Sequence, residues 1–90
     1  MIKKAYSYYC LDILHLGHIQ MMRKCREVVG SDGILIAGIL TDQAVMEKKR
    51  EPILSFEERF EIACSLKFFD DVVPQEQYSP LKNLKKIKPN

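Results

Sequence analysis

The sequence has no long apolar run and no large excess of charge of one sign. Its longest uninterrupted apolar stretch, Ile34 to Leu40, is far shorter than the about 20 residues with which a helix crosses a membrane. No secretory signal is visible at the N-terminus. The formal net charge of +2 is too small to indicate a surface that binds nucleic acid.

The three cysteines have the spacing neither of a disulfide framework nor of a metal site. Cys10, Cys25 and Cys64 are widely separated, odd in number and without a C-x-x-C pair. Disulfide frameworks use even numbers of cysteines, and structural zinc sites use closely spaced ligand pairs. We therefore expect reduced thiols and a cytoplasmic protein.

The composition is that of one small globular domain. The chain has 90 residues, of which 47% are hydrophobic and 29% charged. This composition allows a modest core without disulfide bonds. No repeat, low-complexity tract or linker divides it. We expect residues 1–90 to belong to a single domain.

The first half of the chain predicts a strand, a helix and a second strand. Ile2 to Tyr9 is rich in aromatic residues, as strands are, and Gly17 to Val29 has apolar residues at helical spacing. Gly30 to Gly33 predicts a turn. Ile34 to Leu40 shows no polar alternation, which is typical of a strand buried on both faces of a parallel sheet.

The middle of the chain predicts two helices joined by a charged loop. Thr41-Asp42 caps a short helix that runs through Met46, and the loop extends from Lys48 to Pro52. Ser55 and Glu58 have the spacing of a capping box, in which each side chain binds the backbone of the other residue. The inward stripe of the helix that follows is predicted to comprise Phe56, Phe60, Ala63 and Cys64.

The last segment predicts a third strand and a final helix. Asp71 to Pro74 is the strand, and Ser79-Pro80 starts the helix, with Ser79 as the cap and Pro80 at the first helical position. The residues predicted to face inward are Leu81, Leu84 and Ile87. Those predicted to face solvent are Lys82, Lys85, Lys86 and Lys88.

The alternation of strands and helices predicts the α/β class. We expect a parallel, Rossmann-like sheet with flanking helices. The pattern stops where a fourth strand would be due, so the sheet is expected to be cut short after the third strand.

The segment Asp12-Ile13-Leu14-His15-Leu16-Gly17-His18 carries the clearest chemical signal. It joins the first strand to the first helix, and ligands of open parallel sheets bind beyond the carboxyl ends of the strands. A helix start offers free backbone N–H groups to an anion, and a glycine lets a phosphate approach the backbone. Two imidazoles beside it can donate hydrogen bonds to phosphate oxygens.

Each of these residues also has an ordinary structural interpretation. A single histidine near a strand end is most often a satisfied surface or core residue. His15 and His18 have no Cys, Asp or Glu partner at a spacing typical of metal ligands. Asp12 alone is a common turn residue. The combination at a strand-to-helix junction favours a phosphate site.

The same segment resembles the H-x-G-H signature of the cytidylyltransferase-like nucleotidyltransferases. Further elements follow the family's order: Thr41-Asp42, the loop with Lys48 and Arg50, Pro52 through Glu58-Arg59, and Phe69 to Pro74. The resemblance covers roughly residues 2 to 76 and implies a HUP-type Rossmann-like fold. Several separated elements that agree make a chance match improbable.

The resemblance also implies roles for individual residues. His15, His18 and Lys48 would be catalytic, the two histidines stabilising charge on the α-phosphate. Asp12 and Asp42 would order the site, and Mg²⁺ would arrive on the triphosphate, with no metal bound directly by the protein. The residues that would contact the nucleotide or its phosphates are Tyr9, Cys10, Leu11, Asp12, Gly17, His18, Asp42 and Arg50.

The implied reaction is transfer of a nucleotidyl group, CMP from CTP being favoured, to a small acceptor that carries a phosphate or phosphonate, with release of pyrophosphate. An adenylyltransferase with the same motif is one alternative. A nucleotide-binding or assembly module without turnover is the other, favoured by Tyr9, which stands where the family usually has a small residue. The family's later triphosphate-binding segment is also absent from these residues.

The predicted topology leaves the first strand unpaired along one side. In the family's strand order a fourth strand lies beside the first, so Lys3 to Tyr8 would expose an edge. An uncovered edge is a template for pairing with another chain. We therefore expect a homo-oligomer or a marginally stable chain.

Overall fold

Strands and helices alternate along residues 3–14 and 16–89, the part of the chain that the computed structural model describes. Their bounds are β1 (Lys4–Tyr9), α1 (Leu16–Val29), β2 (Ile34–Leu40), α2 (Asp42–Met46), α3 (Phe56–Ser65), β3 (Asp71–Gln75) and α4 (Leu81–Ile87). The strands form one parallel sheet in the order β1-β2-β3. The predicted α/β class with a parallel, Rossmann-like sheet is confirmed.

The predicted element bounds agree with the structure to within a few residues. β2 matches in full, and Thr41 caps α2 by accepting a hydrogen bond from the backbone N–H of Ala44. β1 begins at Lys4, and the predicted start at Ile2 lies outside the described residues. α1 begins one residue before Gly17, and β3 extends one residue past Pro74.

β2 is the central strand and is buried along almost its whole length. Residues from Leu35 to Leu40 are buried, as the unbroken apolar run predicts. The Tyr6 ring crosses β2 at Gly38. Only a glycine fits there, because an added Cβ would collide with the Tyr6 hydroxyl. Across that gap the hydroxyl donates to Oε1 of Gln75 on β3. One tyrosine therefore links all three strands.

Helices cover both faces of the sheet. α1 and α3 pack on one face around a core that comprises Leu11, Met22, Ile39, Ala63 and Phe68. α2 covers part of the other face through Leu40, Ala44 and Val45. α4 reaches that second face through Asn83, whose amide nitrogen donates to the Tyr6 hydroxyl at 2.9 Å and to the Pro74 carbonyl at 3.0 Å.

Two predicted helix faces need correction. Ser55 and Glu58 do form the capping box that starts α3, but Cys64 is exposed, and Arg59 is buried in the predicted apolar stripe instead. Pro80 is the N-cap of α4 and not its first helical residue. Leu81 is 55% exposed, because α4 meets the sheet through Asn83 and the half-buried Leu84 and Ile87.

Arg26 and Asp70 bind the last turn of α1 and the start of β2 to the turn before β3. The Arg26 guanidinium donates to the carbonyls of Phe68 at 2.6 Å and Gly33 at 2.9 Å, and to Oδ2 of Asp70 at 2.6 Å. The same carboxylate accepts from the backbone N–H of Leu35 at 2.7 Å. The Arg26 hydrogen bond, followed by that from Leu35, lowers the pKa of Asp70 below its ordinary value.

The described helices are all too short or too polar for a bilayer, and none has an apolar stretch long enough to span one. α1, the longest at 14 residues, carries polar residues along one side. The thiols of Cys10 and Cys25 are half-buried and that of Cys64 is exposed, and none of the three forms a disulfide.

Asp70→Asn should lower the free energy of unfolding by about 1 kcal/mol at pH 7, a small value because the ion pair is half exposed and screened by solvent. A carboxyl group whose pKa is lower in the folded state stabilises the protein at a pH above its unfolded pKa of 3.8. This stabilisation is lost as the pH falls through the folded pKa. The difference between the two proteins in urea denaturation should therefore disappear in acid. Asp32→Asn, at an exposed turn, is the control, and equal losses in both variants would contradict this role of Asp70.

Candidate phosphate site

An open pocket of about 600 Å³ lies beyond the carboxyl ends of β1 and β2. One wall is the loop after β1, from Cys10 to Ile13, and the other is the loop from Lys49 to Ile53. His18 of α1 and Val45 of α2 complete the lining. The pocket therefore lies where a parallel α/β sheet is expected to bind its ligand.

The wall that follows β1 begins with an unusual backbone conformation. Leu11 has a φ of 59°, in the left-handed region, although it is not a glycine. This conformation costs a leucine about 1–2 kcal/mol. Burial of its side chain in the core opposes that cost, since only 1% of the residue is exposed. Strain held by packing in this way is concentrated at functional sites.

Asp12 joins the two walls of the pocket. Its carboxylate accepts hydrogen bonds from the backbone N–H groups of Leu54 at 2.8 Å and Ile53 at 3.0 Å. These two bonds lower the pKa of Asp12, the bond from Leu54 contributing most. Asp12 therefore keeps its charge near neutral pH and holds the loop that carries Lys49 and Arg50. Its predicted role in ordering a nucleotide site stays a prediction.

Arg59 binds the backbone of the segments that border the pocket. Its Nη1 donates to the carbonyls of Leu40 at 2.6 Å and Cys10 at 2.7 Å, which are at the ends of β2 and β1. Its Nε donates to the Leu54 carbonyl at 3.1 Å. The side chain is fully buried, so each of these bonds lies away from competing water. Sequence reasoning missed this role, although a charged residue inside an apolar stripe is a usable signal.

Asp42 lies beside this network and is held by it. Oδ1 of its carboxylate accepts from Nη2 of Arg59 at 2.6 Å. The structure therefore places Asp42 against a buried arginine, at the start of α2, and it is not among the residues that line the pocket. Its predicted contact with a nucleotide stays a prediction.

The start of α1 brings the histidine motif to the pocket. Gly17 is exposed in the first turn of the helix, and His18 is half-buried. His18 lines the pocket on one side and, on the other, a groove along β1 that Gly17, Tyr8, Tyr9 and Met21 also line. His15 lies outside the described residues, so its predicted role stays a prediction.

Two cations of the loop after α2 line the pocket. Lys49 and Arg50 line it, together with the acidic Glu51. Lys48 is exposed but is not among the lining residues, and its backbone N–H donates to the carbonyl of Val45 at the end of α2. The predicted phosphate contacts of Lys48 and Arg50 stay predictions, and Lys49 is a further candidate that sequence reasoning did not name.

The remaining predicted contacts divide between the pocket and the core. Cys10 and Leu11 line the pocket, Leu11 with its backbone, since its side chain is buried. Tyr9 points toward the core on the α1 face, where its ring contacts that of Phe69 at a centroid distance of 5.9 Å. Burial raises the pKa of its hydroxyl to about 12. Tyr9 therefore borders the groove beside His18 and not the pocket itself.

The described residues include no group of three or more His, Cys, Asp or Glu side chains that could hold a metal ion. Asp12 and Glu51 are carboxylates that line the pocket, and that of Asp12 accepts hydrogen bonds from two backbone N–H groups.

Residues 10–90 match the sequence pattern of the family described as Cytidylyltransferase-like. Over 80 residues the chain is 39% identical to the FAD synthase of Korarchaeum cryptofilum, and the match covers 88% of this chain and 54% of that protein. It is 33% identical over 69 residues to the ethanolamine-phosphate cytidylyltransferase of Mus musculus, covering 77% of this chain and 16% of that protein. The chain thus spans about half or less of the length of these relatives.

The fold is also found in a solved structure. The lipopolysaccharide core biosynthesis protein of Thermoplasma volcanium GSS1 superimposes with a TM-score of 0.86 at 23% identity. The superposition covers 97% of this chain and 69% of that protein. At this identity the comparison supports the fold alone.

Asp12→Ala should release the loop over the pocket without unfolding the sheet. The amides of Ile53 and Leu54 would lose their acceptor, and their hydrogen exchange should accelerate by about tenfold or more, as expected for a bond to a charged group. Exchange measured residue by residue tests this, with Asp32→Ala as the control. Unchanged protection of both amides in the Asp12 variant would show that the loop is held by other contacts.

Proposed function

The chain belongs to the cytidylyltransferase-like family, and we propose that it is the part of a nucleotidyltransferase that holds a nucleoside triphosphate against a small acceptor bearing a phosphate or phosphonate. An acceptor oxygen attacks the α-phosphorus, the bond from that phosphorus to the β-phosphate oxygen breaks, and pyrophosphate leaves. The observation that carries the proposal is that His18 and the cations Lys49 and Arg50 line one pocket.

The chemistry of this transfer suits the groups at the pocket. Phosphoryl transfer requires positioning and charge neutralisation more than covalent participation by the protein. His18 would donate a hydrogen bond to an oxygen of the α-phosphate as charge builds up there. Gly17 has no Cβ and lies exposed in the first turn of α1, so a phosphate can approach the backbone closely.

The remaining residues at the site have supporting or complementary roles in this proposal. His15 would act with His18 on the same phosphate. Lys49 and Arg50 would bind outer phosphates or the phosphate of the acceptor. Asp12 holds these cations over the pocket through its bonds to the backbone of Ile53 and Leu54.

Mg²⁺ bound to the triphosphate would supply neutralisation of the outer phosphate oxygens. The Asp12 carboxylate is engaged by backbone N–H groups and that of Asp42 by Arg59, which leaves Glu51 as the carboxylate of the lining without such a bond in the described part of the chain. The chain's own contribution is therefore to orient the phosphates and to place cations around them.

CTP is the donor that we favour, because the matched family and the mouse relative are cytidylyltransferases by name. ATP is the second candidate, since the relative with 39% identity is an FAD synthase, whose product contains adenine. Both nucleotides are cytoplasmic metabolites, and we place the reaction in the cytoplasm.

The direct test is pyrophosphate release with CTP or ATP, with Mg²⁺ and phosphorylated acceptors such as glycerol phosphate and phosphoethanolamine. His18→Ala should lower turnover by about a hundredfold, because one lost donor to the developing charge costs about 3 kcal/mol. The variant should keep its fold and a cooperative unfolding transition. Full turnover in the variant would remove His18 from the mechanism, and triphosphate binding without any pyrophosphate release by the wild type would support a binding module instead.

Lys49→Ala should weaken triphosphate or acceptor binding by about tenfold, as expected for a charged hydrogen bond. The loss should shrink at high salt. Lys48→Ala is the matched comparison one residue away, and we expect the smaller effect there because Lys48 does not line the pocket. Lys85→Ala, on the outer face of α4, controls for net charge. A larger loss from Lys48→Ala would return the phosphate contact to Lys48.

A further inference from the structure

The phosphate pocket is lined by a carboxylate to which neither the fold nor the transfer reaction assigns a role. Glu51 lies in the loop between α2 and α3 and lines the pocket next to the cations Lys49 and Arg50. All three residues are exposed, and none belongs to the ion pairs formed within residues 3–14 and 16–89. Glu51 therefore does not neutralise the two cations beside it.

The other acidic side chains close to the pocket are already engaged. Each oxygen of the Asp12 carboxylate accepts a hydrogen bond from a backbone N–H group, at 2.8 and 3.0 Å. Asp42 pairs with the buried Arg59 at 2.6 Å. Among the described residues that line the pocket, Glu51 is therefore the carboxylate whose two oxygens are open to a ligand.

The backbone directly after Glu51 is held in place. Pro52 follows it, and the residue before a proline is confined largely to extended conformations. Asp12 then binds the N–H groups of Ile53 and Leu54. Glu51 thus belongs to the anchored half of the loop, where less conformational freedom is lost when its side chain contacts a ligand.

A carboxylate at this place disfavours a triphosphate that carries no metal. Lys49 and Arg50 attract phosphate oxygens into the pocket, where the carboxylate of Glu51 repels them. A divalent cation between the two sets of anionic oxygens turns this repulsion into attraction. The mixed charge of the lining therefore fits a phosphate group that arrives with a metal ion better than one that arrives without it.

The donor groups of the pocket fit Mg²⁺. This ion prefers oxygen ligands and gives up its water reluctantly, so phosphate oxygens and one or two carboxylates usually hold it in place of a protein cage. The part of the chain that the structure describes has no group of three His, Cys, Asp or Glu side chains that could form such a cage. One carboxylate is enough to accept hydrogen bonds from metal-bound water.

We propose that Glu51 is the residue by which this chain recognises the Mg²⁺ of a bound triphosphate, its carboxylate accepting hydrogen bonds from water molecules on the ion. The inference rests on the proposed function, because it requires a triphosphate in this pocket. It adds a residue that determines specificity: Glu51 favours the metal-bound form over the metal-free form, whereas Lys49 and Arg50 attract both.

The test is the affinity of this chain for CTP and for ATP, measured by equilibrium dialysis with Mg²⁺ or with EDTA and without an acceptor. Glu51→Gln should weaken binding of the Mg²⁺ form by about tenfold, as expected for a hydrogen bond to a charged group. Binding of the metal-free form should not weaken, because a repulsive charge has been removed. Glu57→Gln changes an exposed carboxylate that does not line the pocket and should affect neither form.

A chromium(III) complex of ATP tests whether the contact runs through water. The water molecules on chromium(III) exchange too slowly for a carboxylate to replace them during the measurement. Glu51→Gln should therefore weaken binding of this complex as much as that of the Mg²⁺ form. A variant that binds the chromium complex as tightly as the wild type does would overturn the contact through water.

The outcomes separate this inference from the proposed function. If the wild type binds neither nucleotide, with or without Mg²⁺, the proposed function fails and the role of Glu51 fails with it. If the wild type binds them and Glu51→Gln changes both forms alike, or neither, the role of Glu51 alone is overturned. A loss confined to the binding of phosphoethanolamine would assign the carboxylate to the ammonium group of an acceptor and would overturn it as well.

Discussion

The buried guanidinium of Arg59 is the interaction on which the site depends. The pocket requires the ends of β1 and β2 to stay together where their ladder of hydrogen bonds stops, and at that point the carbonyls of Cys10 and Leu40 have no strand partner. Arg59 donates to both and to the carbonyl of Leu54. A planar group with five donors can satisfy several acceptors at once, which a lysine cannot. Its charge is balanced by Asp42, so burial leaves no isolated ion.

Asp12 and Asp70 likewise hold distant backbone segments in place, at opposite ends of the sheet. Each carboxylate follows or precedes a strand and accepts from backbone N–H groups of a segment distant in sequence. At the amino end, Asp70 and Arg26 fix the turns that enter β2 and β3, which is purely structural. At the carboxyl end, Asp12 fixes a loop that carries Lys49 and Arg50. In the proposed function the second arrangement has a role, because the loop that Asp12 holds is charged and lines an open pocket.

The sequence predicted the order of strands and helices because their signals are local: the apolar run of β2, the caps at Thr41 and Ser55, and the turn at Gly30. It failed where the cause lies in tertiary contacts. Nothing in the periodicity of α3 distinguishes Cys64 from Arg59, since both fall near the apolar stripe. Arg59 is the buried residue because its guanidinium binds the carbonyls at the ends of β1 and β2. Which of Lys48 and Lys49 lines the pocket depends on the path of a loop that Asp12 holds, and the spacing of charges cannot give that path.

His18 stands between two surfaces with opposite chemistry. On one side is a pocket with cations, and on the other an apolar groove along β1. Tyr8 and Tyr9 of β1 line this groove together with His18. In the proposed function the two surfaces act differently on the imidazole: the cations of the pocket would neutralise the phosphates, and the apolar side chains of the groove lower the polarity on the other side of His18. A less polar environment strengthens a hydrogen bond to a charged phosphate.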